Sequence, residues 1–80
     1  MQLIAIMTNR PSAARDLAAL LWAKFGYVTM RFHEWGSTGR WLAAYRAIEG
    51  TDNVVVTGVH REHEARLIES LGGTVLRLRN

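Results

Sequence analysis

The side chains able to do chemistry gather at two breaks in the chain. The first is Thr8-Asn9-Arg10-Pro11-Ser12-Ala13-Ala14-Arg15-Asp16, where a hydroxyl stands between two arginines. At the start of a helix, Arg10, Ser12 and Arg15 would form a place to hold an anion, since backbone N–H groups and the helix dipole point that way. The blander reading is a pair of solvated surface arginines. The second break is His60-Arg61-Glu62-His63-Glu64. His60, His63 and Glu64 have helical spacing for metal ligands, but a histidine pair with no third strong ligand reads as a solvated helix start. Ser12 with a histidine would make a nucleophile and base, yet no spacing brings His33, His60 or His63 to it.

A third constellation is aromatic. Residues 35–46 mix Trp35, Arg40, Trp41, Tyr45 and Arg46. Tryptophan, tyrosine and arginine are the types enriched at the energetic centres of protein interfaces. The same mixture stacks on bases and contacts phosphates in single-stranded nucleic acid. In a small domain it also thickens a core. Trp22 and Phe25, on an apolar helical stripe, read as core.

Composition sets the frame around these residues. Eighty residues with 49% hydrophobic content make one thin-cored globular domain, burying about 60% of the unfolded surface. No cysteine is present, so there is no disulfide framework and no thiolate site, which fits a reducing cytoplasm. The run Leu3-Ile4-Ala5-Ile6-Met7 is too short to cross a membrane or to serve as a signal peptide. The formal charge is +3, and nine of the ten basic residues are arginine. They form no run and no basic tail, so nucleic-acid binding stays open without being favoured.

The elements that must position these residues alternate. Residues 2–8 make an apolar strand. Ala14, Leu17, Ala18, Leu21, Trp22 and Phe25 then recur at helical spacing, with Pro11 at the start and Gly26 at the stop. Residues 27–33 alternate, with Val28, Met30 and Phe32 to one side and Thr29, Arg31 and His33 to the other, as in an edge strand. A loop over 34–39 leads to a helix over 39–49. The continuous β-branched run at 53–59 reads as a strand covered on both faces. A helix over 61–71 stops at Gly72-Gly73, and residues 74–79 form a second edge strand with Arg77 and Arg79 outward.

The expected fold is α/β: a small four-stranded parallel sheet, β-α-β-α-β-α-β, in the order 2-3-1-4 with three helices. The loops after residues 8, 33 and 59 would frame any ligand site. Two helices must share one face and one helix the other, leaving apolar surface or a strand edge in need of a partner.

The closing stretch V-V-V-T-G-V-H-R-E-H-E-A-R-L-I-E-S-L-G-G-T-V-L-R-L resembles the last segment of phage and bacterial deoxynucleoside monophosphate kinases, which reads V-V-x-D-V-R-F-P-N-E-A-x-x-I-x-x-L-G-G-x-V-I-R-I. Lys24-Phe25-Gly26-Tyr27 resembles that family's K-Y-G-F helix end, and Gly36-Ser37-Thr38-Gly39-Arg40-Trp41 is similar to its G-T-x-x-G-R stretch. The resemblance implies a truncated P-loop-kinase-like scaffold from which the chemistry has gone. In the family's phosphate loop G-x-x-x-S-G-K-D/S-T, Thr8 and Ala13 occupy glycine positions here, Ala14 the lysine and Asp16 the magnesium-binding hydroxyl; only Ser12 matches. Gly58 and His60 replace the aspartate and arginine of D-V-R-F-P-N-E.

The resulting expectation is a non-enzymatic phage-type protein without cofactor or metal. It acts by binding a protein, such as a host enzyme or defence complex, and it forms a homodimer or a complex with that partner. The expected contacts are Trp35, Arg40, Trp41, Tyr45, Arg46, Arg77 and Arg79. The alternative is a residual nucleotide or phosphate binder using Arg10, Ser12 and Arg15. No membrane is involved, and the place of action is the cytoplasm, of the host if phage-encoded.

Overall fold

The computed structural model describes residues 2–50 and 52–78. In chain order it contains β1 (Leu3–Met7), α1 (Pro11–Phe25), β2 (Val28–Arg31), α2 (Thr38–Ile48), β3 (Val54–Val59), α3 (Glu62–Ser70) and β4 (Thr74–Arg77). All strand pairs are parallel and the sheet runs β2-β3-β1-β4. The order and the alternation are those the sequence predicts.

β3 is central because its side chains are β-branched on both sides. Val54, Val55 and Val56 are all buried, alternately toward the two faces. α2 and α3 cover one face, where Trp41, Tyr45, Ala65 and Ile68 pack on Met30, Phe32, Val54 and Val56. α1 covers the other face alone, with Ala14 and Ala18 against Ile6, Tyr27 and Val55. Right-handed crossovers require this division: β1 to β2 moves one way across the sheet, and the next two connections move the other way.

Helix ends follow local chemistry. α1 opens on Pro11, whose missing N–H is no loss there, and closes on Gly26 at φ 72° with its N–H on the carbonyl of Trp22 at 3.0 Å. That left-handed turn suits glycine. α2 starts at Thr38, one residue earlier than the glycine stretch suggests, because Ser37 caps it by accepting from the Arg40 N–H at 3.2 Å.

Two expectations about burial are corrected here. Trp22 and Phe25 belong to the apolar stripe of α1, yet they are 66% and 65% exposed. At fifteen residues α1 is about 22 Å long. The strands beneath it have four to six residues, about 13–20 Å. With no second helix beside it, the flank and last turn of α1 have nothing to pack on. On β2, Val28 is exposed and the preceding Tyr27 is buried instead, its hydroxyl donating to Gln2 Oε1 at 3.0 Å.

Candidate functional site at the carboxyl edge

β3 carries one residue too many for its neighbour. Ala5 pairs with Val56, but Met7 pairs with Val59, so three steps on β3 oppose two on β1. Gly58 absorbs the extra residue at φ 81°, a backbone conformation that side-chain-bearing residues avoid. This bulge falls at the carboxyl edge of the sheet, where the chain after β3 turns past the end of β2.

There His33, His60 and Glu64 meet. The His33 and His60 rings stack with centroids 5.8 Å apart. His33 Nε2 lies 2.9 Å from Glu64 Oε2, which places the proton on Nε2. Oε1 of Glu64 accepts from the backbone N–H groups of His60 and Arg61, at 2.9 and 3.1 Å, closing a capping box on α3. Burial pushes the Glu64 carboxyl up, but these two N–H bonds and the nearby His33 and His63 together hold it below its ordinary value. Among the described residues no group of three His, Asp or Glu side chains is disposed to hold a metal ion.

Beside this cluster lies a cavity of about 510 Å³, lined by residues of β1, α1, β2 and β3 and of the turns that follow the three strands. Its walls include Thr8, Arg15, Arg31, His33, Glu34, Thr57 and His60. The turns after β1, β2 and β3 thus frame it, as the topology predicts. Arg15 lines it, whereas Arg10 is the N-cap of α1 and Ser12 is exposed on the first turn. Arg31 is the member that motif reading missed. Its signal was the alternation of β2, which sets Arg31 and His33 on the same polar side.

The aromatic constellation separates. Trp35 and Arg40 are exposed, and so is Arg46, which lies 3.9 Å from Glu49. Trp41 and Tyr45 are not available as contacts: they are 0% and 7% exposed. They stack on each other at 5.5 Å, with Phe32 5.0 Å from Trp41, because they form the inward face of α2. Burial, with Glu49 adding to it against Arg46, pushes the Tyr45 phenol up. Arg77 is exposed and paired with Glu62 of α3 at 3.0 Å. The carboxylate and guanidinium hold each other charged: Glu62 is lowered first by that hydrogen bond, and Arg77 is raised by it. Arg79 lies outside the described residues.

No protein-family model, curated protein or solved structure matches the chain. Among the described residues no helix is long and apolar enough to cross a membrane.

Proposed function

We propose that this chain is a non-enzymatic binding protein that works through a protein partner, a modulator rather than a catalyst. The observation that carries this reading is the exposure of Trp22 and Phe25, 66% and 65%, on the unshared flank of α1. Three residues apart on a helix, the two rings are surface neighbours. Next to them the open edge of β2 begins at Val28, 37% exposed. Large aromatics beside a free strand edge suit a partner that adds a strand to β2 and sets apolar side chains against the helix. The anchors are therefore Trp22 and Phe25, in place of Trp41 and Tyr45.

The likeness to deoxynucleoside monophosphate kinases points the same way, toward a phage protein aimed at a host enzyme or defence complex. A kinase needs a loop of backbone donors and a lysine at the phosphates. The corresponding turn begins α1 with a proline and has Ala14 and Asp16 at the lysine and hydroxyl positions.

The test compares affinity capture by the wild-type chain and by the double variant Trp22→Ser, Phe25→Ser, with Trp35→Ala, Arg40→Ala in parallel. The reading expects a protein retained by the wild type and by the second variant and lost from the first. An unchanged set of bound proteins in the first variant overturns it.

A further inference from the structure

We propose that the cavity at the carboxyl edge binds a small doubly charged oxyanion carried on a flat body, with the charge held between Arg15 and Arg31 and the body lying along α1 toward Trp22. This site is separate from the partner-binding aromatics except at Trp22. It is tested on the isolated protein.

The charge balance of the cavity is the first argument. Arg15 and Arg31 come from different elements, α1 and β2, and neither has a carboxylate partner among the described residues. Glu34 is the one carboxylate on the wall. Glu64 stands near but is spent: one oxygen takes two backbone N–H groups and the other takes His33. The arginines are thus left with a single opposing charge, and His60 also lies on the wall. A guanidinium pair on rigid elements matches a phosphate or dicarboxylate head in charge and in fork geometry.

A hydroxyl on the wall adds a donor. Thr57 lines the cavity from β3, and its side chain can donate to an oxyanion held between the arginines. The start of α1 adds to the same potential. It has no acidic residue in its first turn and no capping side chain, so the positive end of its dipole meets no acid in that turn.

Shape gives the body. A second hollow of about 230 Å³ shares Arg15, Arg31 and Thr57 with the cavity and continues along α1 past Ala18 and Ala19 to Trp22 and Thr29. The small alanines leave a shallow floor, and Trp22 offers a ring face. A ring attached to the anion reaches that face, and an isolated anion does not.

Calorimetric titration near neutral pH with phenyl phosphate, inorganic phosphate and succinate tests this. Phenyl phosphate should bind saturably and about tenfold tighter than inorganic phosphate, the difference being the ring contact. Succinate, doubly charged but without a ring, should bind no tighter than inorganic phosphate, and Arg31→Gln or Arg15→Gln should weaken phenyl phosphate by about tenfold or more. Trp22→Ala should bring phenyl phosphate down to the affinity of inorganic phosphate. Arg46→Gln, remote from the cavity, should change nothing. Both cavity arginines are exposed, so the variants should keep the wild-type melting temperature. The proposal is overturned by an absence of saturation at about 10 mM phenyl phosphate, or by equal binding to the wild type and the Arg31→Gln variant.

Discussion

The two faces of the sheet are built from similar residues and end in opposite states. On the face shared by α2 and α3, a tryptophan is wholly buried, stacked on Tyr45 and in tilted contact with Phe32. On the face covered by α1, a tryptophan is two-thirds exposed. The helix starts repeat the contrast. α3 opens on Glu62 and Glu64, with Glu64 completing a capping box, whereas α1 opens with no acid and no capping side chain. One side of the molecule has its apolar surface paired internally, with the Trp41 indole N–H left without a partner among the described residues. The other has arginines without a carboxylate partner among the described residues, and exposed aromatic rings. Folding accounts for the first side. Binding is the economical account of the second, since an exposed aromatic pair and uncompensated cations contribute little to stability.

The largest test of this division is a pair of tryptophan substitutions. Trp41→Ala should destabilise the chain by about 3–5 kcal/mol, the usual loss for an aromatic removed from a packed core. Trp22→Ala should stay within about 0.5 kcal/mol of wild type. Urea unfolding followed by far-UV circular dichroism measures both. A finer point lies within the first: the Trp41 indole N–H is buried and has no partner among the described residues. Trp41→Phe therefore removes an unsatisfied donor, and should lose far less than Trp41→Ala.

Next in size is a glycine at the joint between α3 and β4. A Cβ on Gly73 would stand 2.7 Å from Ile68 Cγ2, 2.8 Å from Leu3 Cγ and 2.9 Å from the Ile68 carbonyl oxygen. The carbonyl is backbone and cannot swing aside. Gly73→Ala should destabilise by about 1–3 kcal/mol. Gly39, in the first turn of α2, has nothing within 4 Å of a Cβ, and Gly39→Ala should stabilise by about 0.4–1 kcal/mol. Equal effects at the two positions would deny that the joint between α3 and β4 is closely packed.

Parts of this contrast were legible in the sequence. The order of strands followed from the unbroken β-branched run of β3 and the alternation of β2, and the location of the cavity followed from the topology. The need for exposed apolar surface followed from three helices on two faces. Which residues would supply it did not follow. Trp22 and Trp41 both sit on apolar helical stripes, and a stripe says which way a side chain points without saying whether anything lies there. The meeting of Glu64 with His33 was also out of reach. It joins residues far apart in sequence through a bulge at Gly58, which local periodicity cannot show.

Glu64 gives the division a pH dependence. Its folded pKa lies below the ordinary value of 4.5, so the group contributes stability that is fully present above that value and is lost as pH falls through the lowered one. Thermal melts should be flat in this respect above about pH 5 and fall in acid. Glu64→Gln should flatten that acid limb and remove about 1–3 kcal/mol at neutral pH, since an amide cannot accept from His33 and two backbone N–H groups equally well. An unchanged acid limb in the variant would mean that the Glu64 carboxylate does not hold its backbone N–H and His33 contacts in solution.

The smallest expected change in stability is the one that decides most about function. In the double variant Trp22→Ser, Phe25→Ser, both side chains are mostly in water already, so folding loses little apolar burial. The unfolding midpoint should move far less than for Trp41→Ala, Gly73→Ala or Glu64→Gln. The same variant should show reduced retention on a hydrophobic-interaction column, because the exposed aromatic surface on the α1 flank is gone. A large drop in the midpoint would show that these rings pack in solution, and the open side of the sheet would then be closed by the chain itself. An unchanged midpoint with lost retention would leave the α1 flank as surface that only another molecule can cover.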